Sequence, residues 1–167
     1  MATVTTLPAT FVSGAALTAA QQNDLRGAFR VLQVVTGTTI TTVSNSTTTF
    51  EPTTLTQTIT PSSTSSKILV FVNHAENAKS SANSENALNI QLFRDATPIV
   101  TLQYSQAYTG SALGLRFSTS NSYLDSPNTT SATTYSTKFA NNNASASVQV
   151  QQIGAAPSTI VLMEISA

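Results

Sequence analysis

Side chains able to do acid–base or nucleophilic chemistry are few and scattered in this chain of 167 residues. The one histidine, His74, follows the apolar run Lys67-Ile68-Leu69-Val70-Phe71-Val72-Asn73, at the mouth of a polar stretch. There it reads as a rim imidazole hydrogen-bonded to a neighbour rather than as a general base. With 22 Ser and three Asp a Ser-His-Asp combination can be written down, but no Gly-x-Ser-x-Gly turn presents a serine for attack. The carboxylates Asp24, Glu51, Glu76, Glu85, Asp95, Asp125 and Glu164 are widely separated, so no paired-carboxylate site has a local signal. Glu76 and Glu85 could close a calcium site in their polar stretch, although solvated loop charges are the plainer reading. No EF-hand, P-loop or dinucleotide glycine pattern occurs, and the absence of cysteine removes thiolate chemistry, disulfides and Cys-ligated zinc. The expectation is a protein that is not an enzyme, with no catalytic residues, no cofactor and no metal.

Binding leaves more to consider. Tyr104, Tyr108, Tyr123 and Tyr135 could stack on sugar rings, which makes a carbohydrate-binding module recognising host surface glycans the alternative function, with Tyr104, Tyr108 and Tyr123 as the contacts. Tyrosines on alternating strand positions more often pack across strands, and there is no tryptophan to strengthen the glycan reading. Asn45, Asn128 and Asn143 begin glycosylation sequons, read here as accidents of a composition with 29 Thr, 22 Ser and 12 Asn. Only 8% of residues are charged and the net charge is zero. Without a basic cluster there is no footprint for a phosphate backbone or an anionic membrane, so neither nucleic acid nor membrane is expected as a partner. The first ten residues have no basic and apolar signal-peptide pattern, and no run approaches the roughly 20 apolar residues of a membrane span, so cytoplasmic synthesis without export is expected. A neutral surface of Thr, Ser, Asn and Gln suits permanent contacts, because charge is what interface centres exclude.

These residues need elements to hold them. Over residues 17–32, Leu17, Ala20, Leu25, Ala28, Phe29 and Leu32 recur mostly at spacings of three to five, which predicts one short α-helix. Thr18 and Gln21 fit a capping box, and Asp24, Arg26 and Arg30 suit the helix dipole. Gly27 weakens it, so the helix needs something to pack on. Residues 2–16, with Pro8, Ser13 and Gly14, read as an extended arm. Beyond Leu32 the period becomes two. Strands are expected in the Thr38-Thr39-Ile40-Thr41-Thr42-Val43 stretch, around Leu55, Gln57 and Ile59, and in the 67–73 run, which is apolar enough to be buried on both faces. Residues 74–86 read as an exposed loop. Further strands are expected over 87–94, 99–106, 113–124, 133–140, 147–153 and 158–165, with a tight turn at Asp95-Ala96-Thr97-Pro98. The chain is thus mainly β: an antiparallel β-sandwich of jelly-roll type over 34–167, preceded by an arm and anchoring helix over 1–33.

The opening Gly14-Ala15-Ala16-Leu17-Thr18-Ala19-Ala20-Gln21-Gln22-Asn23-Asp24-Leu25 resembles the G-x-x-L-T-A-A-x-x-N-x-L openings of small structural proteins of tailed bacteriophages. Later landmarks are similar to those of phage fibre-like or head-decoration proteins: Ile59-Thr60-Pro61 through Ser65-Ser66-Lys67, then Leu92-Phe93-Arg94-Asp95, Tyr123-Leu124-Asp125-Ser126-Pro127, Thr133-Thr134-Tyr135 and Ile160-Val161-Leu162-Met163-Glu164-Ile165. Their order carries more than any one motif. The resemblance implies a virion component assembled in the host cytoplasm, whose arm and helix dock on another phage capsid or tail protein through Leu17, Leu25, Phe29 and Leu32. It implies a β-sandwich that associates with itself as a homotrimer. Head decoration or cement, head fibre, and short tail fibre or adaptor are all open.

Overall fold

In a computed structural model the described residues are 30–166, and they form ten strands: β1 (Val31–Thr39), β2 (Val43–Asn45), β3 (Glu51–Ile59), β4 (Lys67–Lys79), β5 (Leu88–Arg94), β6 (Thr97–Gln106), β7 (Leu115–Asp125), β8 (Thr133–Asn141), β9 (Val148–Val150) and β10 (Ser158–Ile165). Antiparallel pairing places β1, β10, β4 and β7 side by side in one sheet, with β9 and β2 continuing its β10–β1 side, and β3, β8, β5 and β6 in the other. The pairs are nested: β1 with β10, β3 with β8, β4 with β7 and β5 with β6. A long folded-back ribbon wound into two sheets gives this order, and it is the jelly-roll order.

Each strand keeps one row inside. Leu55, Ile59, Ile68, Val70, Val72, Leu92, Tyr135, Ile160 and Leu162 form one core cluster, and Leu88, Ile90, Phe139, Val148 and Val150 form another. Burying a leucine or isoleucine side chain contributes about 1.5–3 kcal/mol, so these two rows carry the sandwich. At the open edge β1 comes very close to β3. A Cβ at Gly37 would run into the Thr56 backbone oxygen, so glycine is what lets the two sheets meet there.

Several expectations change. No helix occurs among the described residues, and the bulk of the predicted helix lies outside them. Its last turn is a strand: Val31 and Leu32 belong to β1, so the sandwich starts three residues before position 34. An apolar pair at 31–32 fits a helical stripe and an outward-facing strand alike, and pairing of Val31 with Ile165 decides it. The 67–73 run is buried on one face only, since Phe71 is 42% exposed while Val70 and Val72 are inside. Residues 74–79 are not loop but the second half of β4, and His74 is 1% exposed rather than at a rim. The 38–43 stretch is split, ending β1 at Thr39 and resuming as β2 at Val43. By contrast, β10 spans 158–165 as read from sequence, and Asp95-Ala96 is the two-residue turn between β5 and β6, with Asp95 at φ 52°.

Candidate functional site

The sequence landmarks converge at the end of the sandwich where β1 begins. Asp125, at the end of β7, accepts two hydrogen bonds from Arg94 Nη1, at 3.0 Å to Oδ1 and 2.9 Å to Oδ2, from the last residue of β5. The hydroxyl of Tyr135, near the start of β8, donates to Asp125 Oδ2 at 2.6 Å. The Tyr135 side chain has no exposed surface. Burial first, then the neighbouring Asp125 carboxylate, pushes its phenol well above the usual tyrosine range. Strands from both sheets are thereby tied by one carboxylate.

Glu164, the penultimate residue of β10 and fully buried, does the same on the β1 side. Its carboxylate accepts from the Ser62 amide at 2.7 Å, the Ser62 hydroxyl at 2.6 Å and Gln33 Nε2 at 2.6 Å. Burial works to raise its pKa, but these donors, together with Ser66, outweigh it and hold the carboxyl at about 2. Lys67 Nζ donates to Ser126 Oγ at 2.7 Å across the same end. Ser166 and Arg30 exchange bonds here too, Ser166 N–H to the Arg30 carbonyl at 2.9 Å and Arg30 N–H to Ser166 Oγ at 3.0 Å, so the point where the N-terminal residues join is pinned.

Outside this end, the β1-β10-β4-β7 sheet presents a graded surface. Register sets Val34 opposite Met163, Met163 opposite Leu69 and Leu69 opposite Leu124, one apolar row across four strands. Val34 is 52% and Leu124 54% exposed. One step toward the other end the row is Thr36, Val161, Phe71, Ser122, half apolar. One step further it is Thr38, Thr159, Asn73, Ser120, wholly polar, with Ser120 Oγ donating to Asn73 Oδ1. The apolar end is the one that carries β1's first residues, and Leu32 lies there, 41% exposed.

Of the other residues singled out from the sequence, Leu17, Leu25 and Phe29 lie outside the described residues. Tyr104 is 79% exposed on β6 and Tyr108 follows β6, its hydroxyl donating to Glu85 at 3.2 Å. Tyr123 instead packs against the core cluster, so the three do not share one face. Glu76 and Glu85 do not come together: Glu76 accepts from the Ala155 and Ala156 amides, and Glu85 takes the Tyr108 hydroxyl. Among the described residues no group of three His, Asp or Glu side chains gathers as a metal site. Asn45 is buried, its amide donating to the Thr49 and Phe139 carbonyls.

His74 lies on a polar seam between the two core clusters. Gln151 Nε2 donates to His74 Nδ1 at 3.1 Å, and the ring's Nε2–H donates to Thr137 Oγ1 at 3.0 Å. Thr137 bonds in turn to Thr53 at 2.6 Å on the facing sheet. Burial lowers the His74 pKa to about 4, and every partner fits a neutral ring. Such a ring staples the sheets. Among the described residues its two ring nitrogens meet an amide and a hydroxyl, not a carboxylate.

No family model and no curated protein matches this sequence. Among solved structures, the chain is similar to the infectious bursal disease virus VP2 subviral particle protein, at 12% identity and a TM-score of 0.43 over 81% of this chain and 39% of that one. It is similar also to the protein in the infectious bursal disease virus Gx strain structure, at 12% identity and a TM-score of 0.40 over 80% and 39%. The chain spans about two fifths of the length of each of these proteins.

Proposed function

We propose that this chain is a non-enzymatic structural component of a virion, an appendage of a tailed phage. It docks through the residues ahead of β1 and trimerises through its β-sandwich. The observation that carries this reading is the convergence just described. The segments that resemble phage structural proteins, scattered over the sequence from Ile59 to Ile165, supply Arg94, Asp125, Tyr135, Ser62 and Glu164 to one end of the fold. That end anchors the N-terminal residues. A rigid, hydrogen-bonded base under a short N-terminal extension suits a part that must hold its orientation on a particle. Its surface chemistry suits permanent burial, because exposed apolar rows there replace charge.

Light scattering on the full chain at micromolar concentration tests the trimer; a mass near 17.5 kDa overturns it. Removing residues 1–29, which spares every strand among the described residues, is expected to abolish incorporation into particles while circular dichroism keeps its β signature. Retained incorporation would refute docking by this segment. Glycan recognition is a second reading, favoured by the open ring of Tyr104 on an outermost strand. Glycan-array binding lost in Tyr104→Ala would support it.

A further inference from the structure

We propose that His74 and Gln151 form a proton-operated latch: a second proton on the His74 ring frees the connection between β9 and β10, residues 151–157, from β4 and leaves the two sheets joined. The asymmetry comes from the ring's two nitrogens. Nε2–H donates to Thr137 Oγ1, and that bond is the same for a neutral and a charged ring, so the Thr137–Thr53 link between the sheets is untouched. Nδ1 accepts from Gln151 Nε2, and once protonated it becomes a donor facing a donor. The whole mismatch therefore falls on Gln151. Its Nε2 also donates to Ser158 Oγ, while its Oε1 is buried and meets no donor among the described residues. A latch that already leaves one buried oxygen unmet has little to hold it once Nδ1 stops accepting.

The backbone stores the means of release. Gln151 sits at φ 52°, a left-handed conformation that a residue with a Cβ keeps only when its surroundings hold it. Besides its own side chain, the holders are the Thr42 hydroxyl, which donates to the Gln151 carbonyl at 2.6 Å, and the Gly154 amide, which donates to the same oxygen at 3.1 Å. The rest of the connection leans on Glu76: its carbonyl accepts from the Gln152 amide at 2.8 Å and its carboxylate from the Ala155 and Ala156 amides. Both anchors, His74 and Glu76, lie where the β4–β7 register slips between His74 and Asn77, so one bulge in β4 presents them to the same segment. The groups packed around the ring are neutral: Thr53 from β3, Thr137 from β8, Thr119 opposite it on β7 and Ser158 from β10. The charged groups of those strands and of β4 are engaged elsewhere or exposed. Lys138 lies over the Phe93 ring, Asp125 binds Arg94, Glu164 binds Ser62, Lys67 and Lys79 reach Ser126 and Thr109, and Glu51 and Arg116 are exposed. Burial alone holds the ring neutral down to about pH 4, so Gln151 meets an uncharged partner until acid reaches it.

An NMR titration of the nitrogen-15-labelled full chain from pH 7 to pH 3 tests the latch. The ring nitrogens of His74 should titrate near pH 4, and the amides of Gln152, Gly154 and Ala155 should shift with the same midpoint. The Leu55 amide, which donates to Thr53 Oγ1 beside the link between the sheets, should stay in place. Loop amides that hold their positions while the ring takes up its proton overturn the proposal, and so does a Leu55 amide that moves as far as they do. Two variants separate the two anchors. In Glu76→Gln the loop amides should keep the His74 midpoint, and in His74→Gln they should lose it; the reverse pattern makes Glu76 the trigger and overturns the assignment. Gln151→Glu places a carboxylate against Nδ1 and should raise the ring's midpoint by about one pH unit or more. An unchanged midpoint there refutes the contact itself. Oligomer mass and particle incorporation play no part in these readings, so the latch and the virion role fail separately.

Discussion

At the end where β1 begins, the acceptors that close the sandwich are carboxylates, Asp125 and Glu164. At the end where β2 pairs with β9 the closing groups are amides: Asn141 accepts from the Ala87 amide and donates to the Ala146 carbonyl, and Asn86 donates to the carbonyls of Ser80 and Ser147. The outer surface changes in the same direction, from the apolar row through Leu69 to the polar row through Asn73. Amides satisfy loop backbone without bringing charge, and a wet polar row needs no cover. Charge-assisted bonds are about twice as strong, and they sit at the end that carries the exposed apolar row. In a chain with so little charge, placing two fully or nearly buried carboxylates at one end marks that end as the one required to be rigid.

The largest effect should follow from breaking the carboxylate side. Asp125→Ala leaves the Arg94 guanidinium and the buried Tyr135 hydroxyl without their acceptor, and should cost about 3–5 kcal/mol in urea unfolding. Tyr135→Phe together with Asp125→Asn should cost much less, because the unmet groups are removed in pairs. If the single and double variants are equally unstable, the network is not a unit.

Protonation separates the regions without mutation. His74 has a folded pKa of about 4 against an ordinary 6.5, so its contribution is fully present above pH 6.5 and is lost as pH falls toward 4, worth roughly 3 kcal/mol over that window. Glu164, held at about 2 against 4.5, contributes above pH 4.5 and loses its contribution as pH falls toward 2. Stability should therefore fall in two successive windows. His74→Gln should flatten the first and Glu164→Gln the second. A single slope from pH 6.5 to 2 in both variants would contradict the assignment.

On the amide side, Asn141→Ala should cost about 1–3 kcal/mol, the penalty for leaving the Ala87 N–H and Ala146 carbonyl unmet, with no change in the pH profile. These two ends were not equally legible from the sequence. Alternation found β5, β8 and β10, because Leu88, Ile90 and Leu92, or Ile160 and Leu162, enter the core with polar neighbours between them. The second half of β4 was missed because His74, Asn77 and Lys79 are buried by polar contacts, and a buried polar residue looks like a loop residue until its partners are known. Gln151, Thr137 and Thr53 lie far from His74 in sequence, and nothing local announces them. Arg94, Asp125 and Tyr135 did leave a signal, as landmarks whose order was readable, but their meeting at one carboxylate depends on strand order across two sheets. The helix was overextended into Val31 and Leu32 because propensity cannot see β10.

The smallest effect tests the surface gradient. Leu124→Ser on a bare sheet face should change stability by less than about 0.5 kcal/mol, as most exposed substitutions do. If self-association buries that row, the same change removes apolar area from a packed contact and should cost the oligomer about 1 kcal/mol. The distinction lies in the dependence on concentration rather than in either number. Measured over a dilution series, the cost of Leu124→Ser should shrink toward zero once light scattering reports a monomer. Ser120→Ala, four residues earlier on the same face but in the polar row, should show no such dependence on concentration. Equal effects at Leu124 and Ser120 would mean that the apolar row is not where copies of the chain meet.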